Sequence, residues 1–84
     1  MIAKLKSSVF IDALTLELVA PIRSQLKAVL RDEQGSVCSS LETLLSNGEQ
    51  TLTWRGLNDL PYGIYTLELS QGEDELKMRL VKRI

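Results

Sequence analysis

Between Gly63 and Arg83 two alternating runs face each other across a polar loop, and that alternation restricts the fold more than any other feature. Tyr65, Leu67 and Leu69 recur at every second position with Thr66 and Glu68 between them; Leu76, Met78 and Leu80 do the same around Lys77 and Arg79. Period two is the spacing of a strand that buries one face. Folding the segment about Ser70-Gln71-Gly72-Glu73-Asp74 sets Leu69 opposite Leu76, Leu67 opposite Met78 and Tyr65 opposite Leu80. The same register sets Glu68 opposite Lys77, a favourable cross-strand charge pair. Such an ending predicts a hairpin with one apolar and one charged face.

The rest of the chain repeats the pattern in shorter pieces. Leu14, Leu16, Leu18 and Ala20 share one face, and Pro21, without a backbone donor, is expected to end their run. Leu26, Ala28 and Leu30 form a second inward set. Asp32-Glu33-Gln34-Gly35 reads as a turn, across which Val37, Ser39 and Leu41 are expected opposite Leu30, Ala28 and Leu26, with Cys38 opposite Val29. Leu41 to Leu45 fits either a strand or a short helical turn. Ser46-Asn47-Gly48-Glu49 is a turn signal, and Thr51-Leu52-Thr53-Trp54 a strand with Leu52 and Trp54 inward. Val9, Phe10 and Ile11 add a strand, and Ile2 to Leu5 a short edge piece. Six or seven short strands with closely spaced turns predict an all-β, antiparallel β-sandwich in a single domain spanning residues 1–84. Its expected core is Leu16, Leu18, Leu26, Leu30, Leu52, Trp54, Tyr65, Leu67, Met78 and Leu80.

Composition narrows the function. With 10 basic and 11 acidic residues the net charge is −1, without the basic excess of a nucleic-acid footprint. One Phe, one Trp and two Tyr make no stacking series for bases, and alternation with polar neighbours assigns Trp54 and Tyr65 to the core. Tyr62, in a turn, is the aromatic expected outside. The chain has no histidine and one cysteine, Cys38, which removes His-dependent catalysis and multi-cysteine zinc sites. Cys38 reads as a small half-buried residue. The carboxylates of Asp32 and Glu33, and of Glu73, Asp74 and Glu75, fall in turns, where acids cap backbone donors, and neither group has EF-hand spacing. No catalytic residues, no metal ligands and no cofactor are expected. The longest apolar stretch, Val9 to Ala20, is interrupted by Asp12 and Glu17 and is too short to span a bilayer.

One turn and the final strand carry a family resemblance. Leu60-Pro61-Tyr62-Gly63-Ile64-Tyr65 followed by Leu80-Val81-Lys82 resembles the Leu-Pro-x-Gly turn and terminal Lys-x-Val-Lys strand of the C-terminal sorting domains of the type IX secretion system of Bacteroidota. Asp32-Glu33-Gln34-Gly35 resembles the Asp-x-x-Gly hairpin of that family; its upstream Pro-x-Pro is absent here. The resemblance implies an immunoglobulin-like sandwich that performs no chemistry and acts as an export address. Its partners would be the type IX translocon and a cell-surface sortase, and its route the periplasm, then the outer-membrane surface or the medium. It implies recognition through Pro61, Gly63, Tyr65, Lys77, Arg79, Leu80, Val81 and Lys82. Met1-Ile2-Ala3-Lys4-Leu5-Lys6 lacks the apolar stretch of a signal peptide, so the chain is expected to be a fragment of a larger exported protein.

The basic strand has a physical route to recognition: at a sheet edge it would offer backbone groups and a row of cations to a receptor. A second resemblance, of Leu52-Thr53-Trp54-Arg55-Gly56 and Gly63-Ile64-Tyr65-Thr66-Leu67, is to the structural immunoglobulin-like module of flagellar hook-capping proteins. Arg55 stands there in place of an acid.

Overall fold

The computed structural model describes residues 2–20 and 22–83. Alternation becomes eight strands: β1 (Ile2–Leu5), β2 (Val9–Phe10), β3 (Leu14–Ala20), β4 (Ser24–Arg31), β5 (Val37–Leu45), β6 (Gly48–Trp54), β7 (Gly63–Gln71) and β8 (Asp74–Lys82). The count exceeds the expected six or seven because both N-terminal pieces find a ladder. Leu41 to Leu45 continues β5, which resolves the helix-or-strand choice in favour of the strand. Pro21, expected to end the β3 run, lies outside the described residues, as does Ile84.

The strands form a three-stranded sheet, β1-β3-β6, and a five-stranded sheet, β2-β8-β7-β4-β5. This is the immunoglobulin layout: β3 and β6 share one sheet, β4, β7 and β8 the other, and β5 extends the second sheet beyond β4. All pairings are antiparallel except one. β2 runs parallel to β8, with Val9 opposite Val81 and Phe10 opposite Lys82, so the expected antiparallel sandwich carries one short parallel ladder.

The inward residues of both sheets form one core. Leu16, Leu26, Leu30 and Leu67 are fully buried, and Leu14, Leu18, Trp54, Tyr65, Leu69 and Leu80 join them. Burying a leucine side chain contributes about 1.5–3 kcal/mol, so such a cluster supplies most of the drive to fold. Leu52 and Met78, expected in the core, lie half-buried against it. Phe10, Leu45 and Leu57 are buried members that alternation did not single out.

The β7–β8 hairpin has the predicted register, including Tyr65 opposite Leu80 and Glu68 opposite Lys77. Its loop is Gly72-Glu73, and Gly72 takes φ +60° at the first central position, the geometry of a type II′ turn. The β4–β5 hairpin differs from expectation by two residues. Ser39 faces Leu30, Leu41 faces Ala28, Thr43 faces Leu26, and Val29 meets Ser40 instead of Cys38.

Two one-residue changes add up to that shift. Asp32 Oδ1 accepts the N–H groups of Gln34 and Ser36 at 2.9 and 3.0 Å, which closes a loop of residues 32–36, longer than the expected turn. A bulge between Leu30 and Arg31 then skips Cys38. The two shifts sum to an even number, so from Ser39 onward β5 keeps its expected faces, whereas Val37, set opposite Arg31 instead of Leu30, turns outward and is 56% exposed.

Polar side chains fasten the crossings between sheets. Gln50 Oε1 accepts the Ser46 N–H at 3.1 Å while its Nε2 donates to the Ser46 carbonyl, fixing the corner from β5 to β6. Buried Gln71 donates through Nε2 to Ser24 Oγ, joining the end of β7 to the start of β4. Among the described residues no buried side-chain nitrogen or oxygen lacks a partner, and no helix is long and apolar enough to cross a membrane.

Candidate partner-recognition surface

The chain enters β7 through a turn closed by a buried tyrosine. Tyr65 Oη donates to the Pro61 carbonyl, four residues upstream, at 2.6 Å. This is the tyrosine corner of immunoglobulin-like domains, at the start of the strand equivalent to β7. The Tyr65 ring meets Phe10 edge to face, with centroids 6.0 Å apart and planes at 67°. Leu57, in the loop before that turn, is buried in the core; its N–H donates to the Asp12 carbonyl at 2.9 Å, and its own carbonyl accepts the Leu60 N–H at 3.3 Å. Gly63 takes φ +149°, in the region that side chains rarely adopt, although space around its Cα is open. The requirement for glycine there is conformational.

Removing the Tyr65 hydroxyl tests the corner. Tyr65→Phe keeps the ring and loses one hydrogen bond, so a loss of about 0.5–1.5 kcal/mol is expected in denaturant unfolding. Burial, then the charges of Cys38 and Asp32, raise the Tyr65 pKa above its ordinary value. The folded state therefore resists ionisation that the unfolded state accepts. That stability is complete below the unfolded pKa of about 10 and falls as pH rises through the folded value. Tyr65→Phe should remove this part of the alkaline loss.

The turn and the final strand, separate in sequence, lie side by side. Gly63 faces Lys82, Ile64 faces Val81 and Tyr65 faces Leu80. They divide between two faces. Tyr65 and Leu80 are core residues that support this surface from beneath; Pro61, Lys77 and Arg79 are exposed, and Val81 is half-buried.

Lys82 corrects the sequence reading. Expected as a solvated cation of the recognition surface, it is 3% exposed, on the inward face behind Leu76, Met78 and Leu80. Its Nζ donates to the Arg83 carbonyl at 2.9 Å, so the stem fills the end of the core while the ammonium group reaches a backbone acceptor. Period two already assigns Lys82 to that face; reading the terminal residues as one basic run hid it.

The outward face of the five-stranded sheet collects the rest. Arg31, Thr66 and Arg79 form one row across β4, β7 and β8, and Val29, Glu68 and Lys77 the next. Glu68 lies between two cations: Arg31 Nε at 3.0 Å and Lys77 Nζ at 3.9 Å. Sequence reasoning found the longer contact and missed Arg31, which the two-strand hairpin cannot show. Below these rows Val9, Val81 and Ile64 are in register on three adjacent strands, and Tyr62 is 71% exposed at the turn. The surface is thus a shallow groove in which Arg31, Lys77 and Arg79 stand beside Asp32, Glu33 and Glu68, with an apolar end. Val9, Ile64 and Tyr62 were absent from the expected contact residues. The parallel placement of β2, which puts Val9 there, has no signature in its two residues.

Cys38 sits half-buried at the β4–β5 bulge, its thiol pKa raised by burial and then by Asp32. A raised pKa keeps the thiol protonated and a poor nucleophile. Among the described residues no group of three or more His, Cys, Asp or Glu side chains could hold a metal ion. No family model and no curated protein matches the chain.

Proposed function

We propose that this domain is a type IX C-terminal sorting domain, an export address that the translocon reads from the outward face of the five-stranded sheet. The observation that carries the reading is the adjacency of its two motif segments: Gly63 to Tyr65, which end the Leu60 turn, pair with Leu80 to Lys82 in one ladder. A receptor that binds there meets both at once, which gives a physical reason for the two segments to occur together. Pro61 and Gly63 shape the turn, Tyr65 and Leu80 anchor it from beneath, and Val81 with Ile64 forms the apolar end. Lys77 and Arg79 carry the charge. The parent protein passes through the periplasm, and the domain takes it to the cell surface or the medium.

The test is a fusion of residues 1–84 behind a periplasmic reporter in a type IX-competent cell. The reporter should reach the surface or the medium, and should stay periplasmic in a translocon-deficient strain. Retention in both strains, while an authentic sorting domain exports the same reporter, would remove the reading. Structural service in a flagellar hook-capping protein would give that second outcome.

A further inference from the structure

β8 is bonded to β7 along its length, from Gly63↔Lys82 to Gln71↔Asp74, but on its other side it meets β2 only at Val81 and Lys82. The Val81 and Arg83 N–H groups donate to the Ser8 and Phe10 carbonyls at 2.8 and 2.9 Å, so odd-numbered residues of β8 direct their backbone groups away from β7. By the alternation of an antiparallel ladder, Glu75, Lys77 and Arg79 direct theirs to the same side. Among the described residues no strand covers them there. The open stretch ends where β2 begins.

We propose that this edge pairs with the same edge of a second copy, antiparallel about Leu76, joining the two five-stranded sheets into one continuous sheet. Charge order chooses the occupant. At alternate positions the chain reads Glu73, Glu75, Lys77, Arg79: acid, acid, base, base. Turned about Leu76, Glu75 faces Lys77 of the second copy within the ladder, and Glu73, in the loop just before β8, comes beside its Arg79; the two-fold axis makes each pair twice. Opposite charges across a ladder stabilise it, and like charges oppose it.

The neighbouring registers are worse. Centring on Lys77 sets Lys77 against itself, centring on Glu75 sets Glu75 against itself, and a parallel in-register pair sets every charge against its like. The hydrogen-bonding phase agrees as well, since Glu75 and Lys77 both direct their backbone groups outward and can bond to each other. Leu76, half-buried against the core, meets its own counterpart on the inward face, where the pairing covers what it still exposes. An edge of one sign repels its copies; this one is complementary to itself. The inference stands apart from the sorting reading, and it leaves both outward faces on one side of the joined sheet.

Sedimentation equilibrium over a concentration series tests it, against a monomer mass of 9.4 kDa. The chain should approach twice that mass, with weaker association at high salt. Glu73→Lys with Glu75→Lys, and separately Lys77→Glu with Arg79→Glu, should each remain monomeric, while an equimolar mixture of the two restores the dimer. The quadruple charge swap should dimerise alone. Amide exchange at Glu75, Lys77 and Arg79 should slow as concentration rises, with Leu76 and Met78, already directed to β7, unchanged. A wild-type chain that stays monomeric at millimolar concentration overturns the proposal. So do double variants that dimerise like wild type, or a mixture of folded variants that fails to associate.

Discussion

Trp54→Ala is expected to cost about 3–5 kcal/mol, the range for removing a large aromatic side chain from a packed interior. Trp54 is 6% exposed at the end of β6, facing Leu14 on β3. Those two residues close the three-stranded sheet at the end where the chain leaves for the β7 turn. At roughly 0.05–0.15 kcal/mol per residue, the whole domain holds only about 4–13 kcal/mol. The variant should therefore lose on the order of 15 °C in melting temperature, or fail to fold. Thermal unfolding followed by circular dichroism is the check. An unchanged melting temperature would mean that Trp54 faces solvent and that the core is wrongly placed.

Deleting residues 80–84 should have a still larger effect, because two ladders end on that segment. Leu80, 1% exposed, leaves the core opposite Tyr65. Among the described residues Val81 and Lys82 are the only ladder partners of β2, so Val9 and Phe10 lose their place in the sheet. Phe10 then no longer covers the edge of Tyr65. Loss of a buried leucine alone costs about 2–5 kcal/mol, and the detached β2 adds to it. The truncated chain should show no cooperative unfolding transition. A cooperative transition near the wild-type temperature would show that β2 and the end of β8 are ornaments to a fold held elsewhere.

Much of this fold was legible because a strand with one buried face writes its period into the chain. The β7–β8 hairpin came out residue for residue: each strand alternates over several turns of the pattern, and Gly72 marks the loop. The β4–β5 hairpin came out with correct faces from Ser39 onward, Val37 turned outward, and a register two residues off. Its length was set by the Asp32 carboxylate holding Gln34 and Ser36, and by a bulge, neither of which has a periodic trace in the sequence. Phe10 was missed because Val9-Phe10-Ile11 is an unbroken apolar run with no period to pick its inward residue, and Leu57 because it is a single apolar residue in a loop. The sorting of strands into two sheets depends on corners such as Ser46–Gln50, whose side-chain bonds have no periodic trace.

The surface divides in the same way. Lys77, Arg79 and Val81 stand on the outward face as alternation requires, whereas the Arg31–Glu68 contact and the Val9–Val81–Ile64 cluster join strands distant in sequence. Register across three strands is a property of the assembled sheet. Lys82 was the avoidable error, since counting by twos from Leu80 places it inside.

The proposed sorting role requires that a receptor read Lys77 and Arg79, in a domain whose folding does not need them. Both are exposed, and replacing exposed charges usually changes stability by no more than about 0.5 kcal/mol. The direct measurement is export of the reporter fusion carrying Lys77→Gln and Arg79→Gln, beside a control carrying Glu73→Gln and Glu75→Gln. The control removes charge from the same edge and disturbs self-pairing while leaving the cations in place. The account predicts wild-type-like melting for both, periplasmic retention of the first and export of the second. Normal export of a folded Lys77→Gln, Arg79→Gln variant would contradict it.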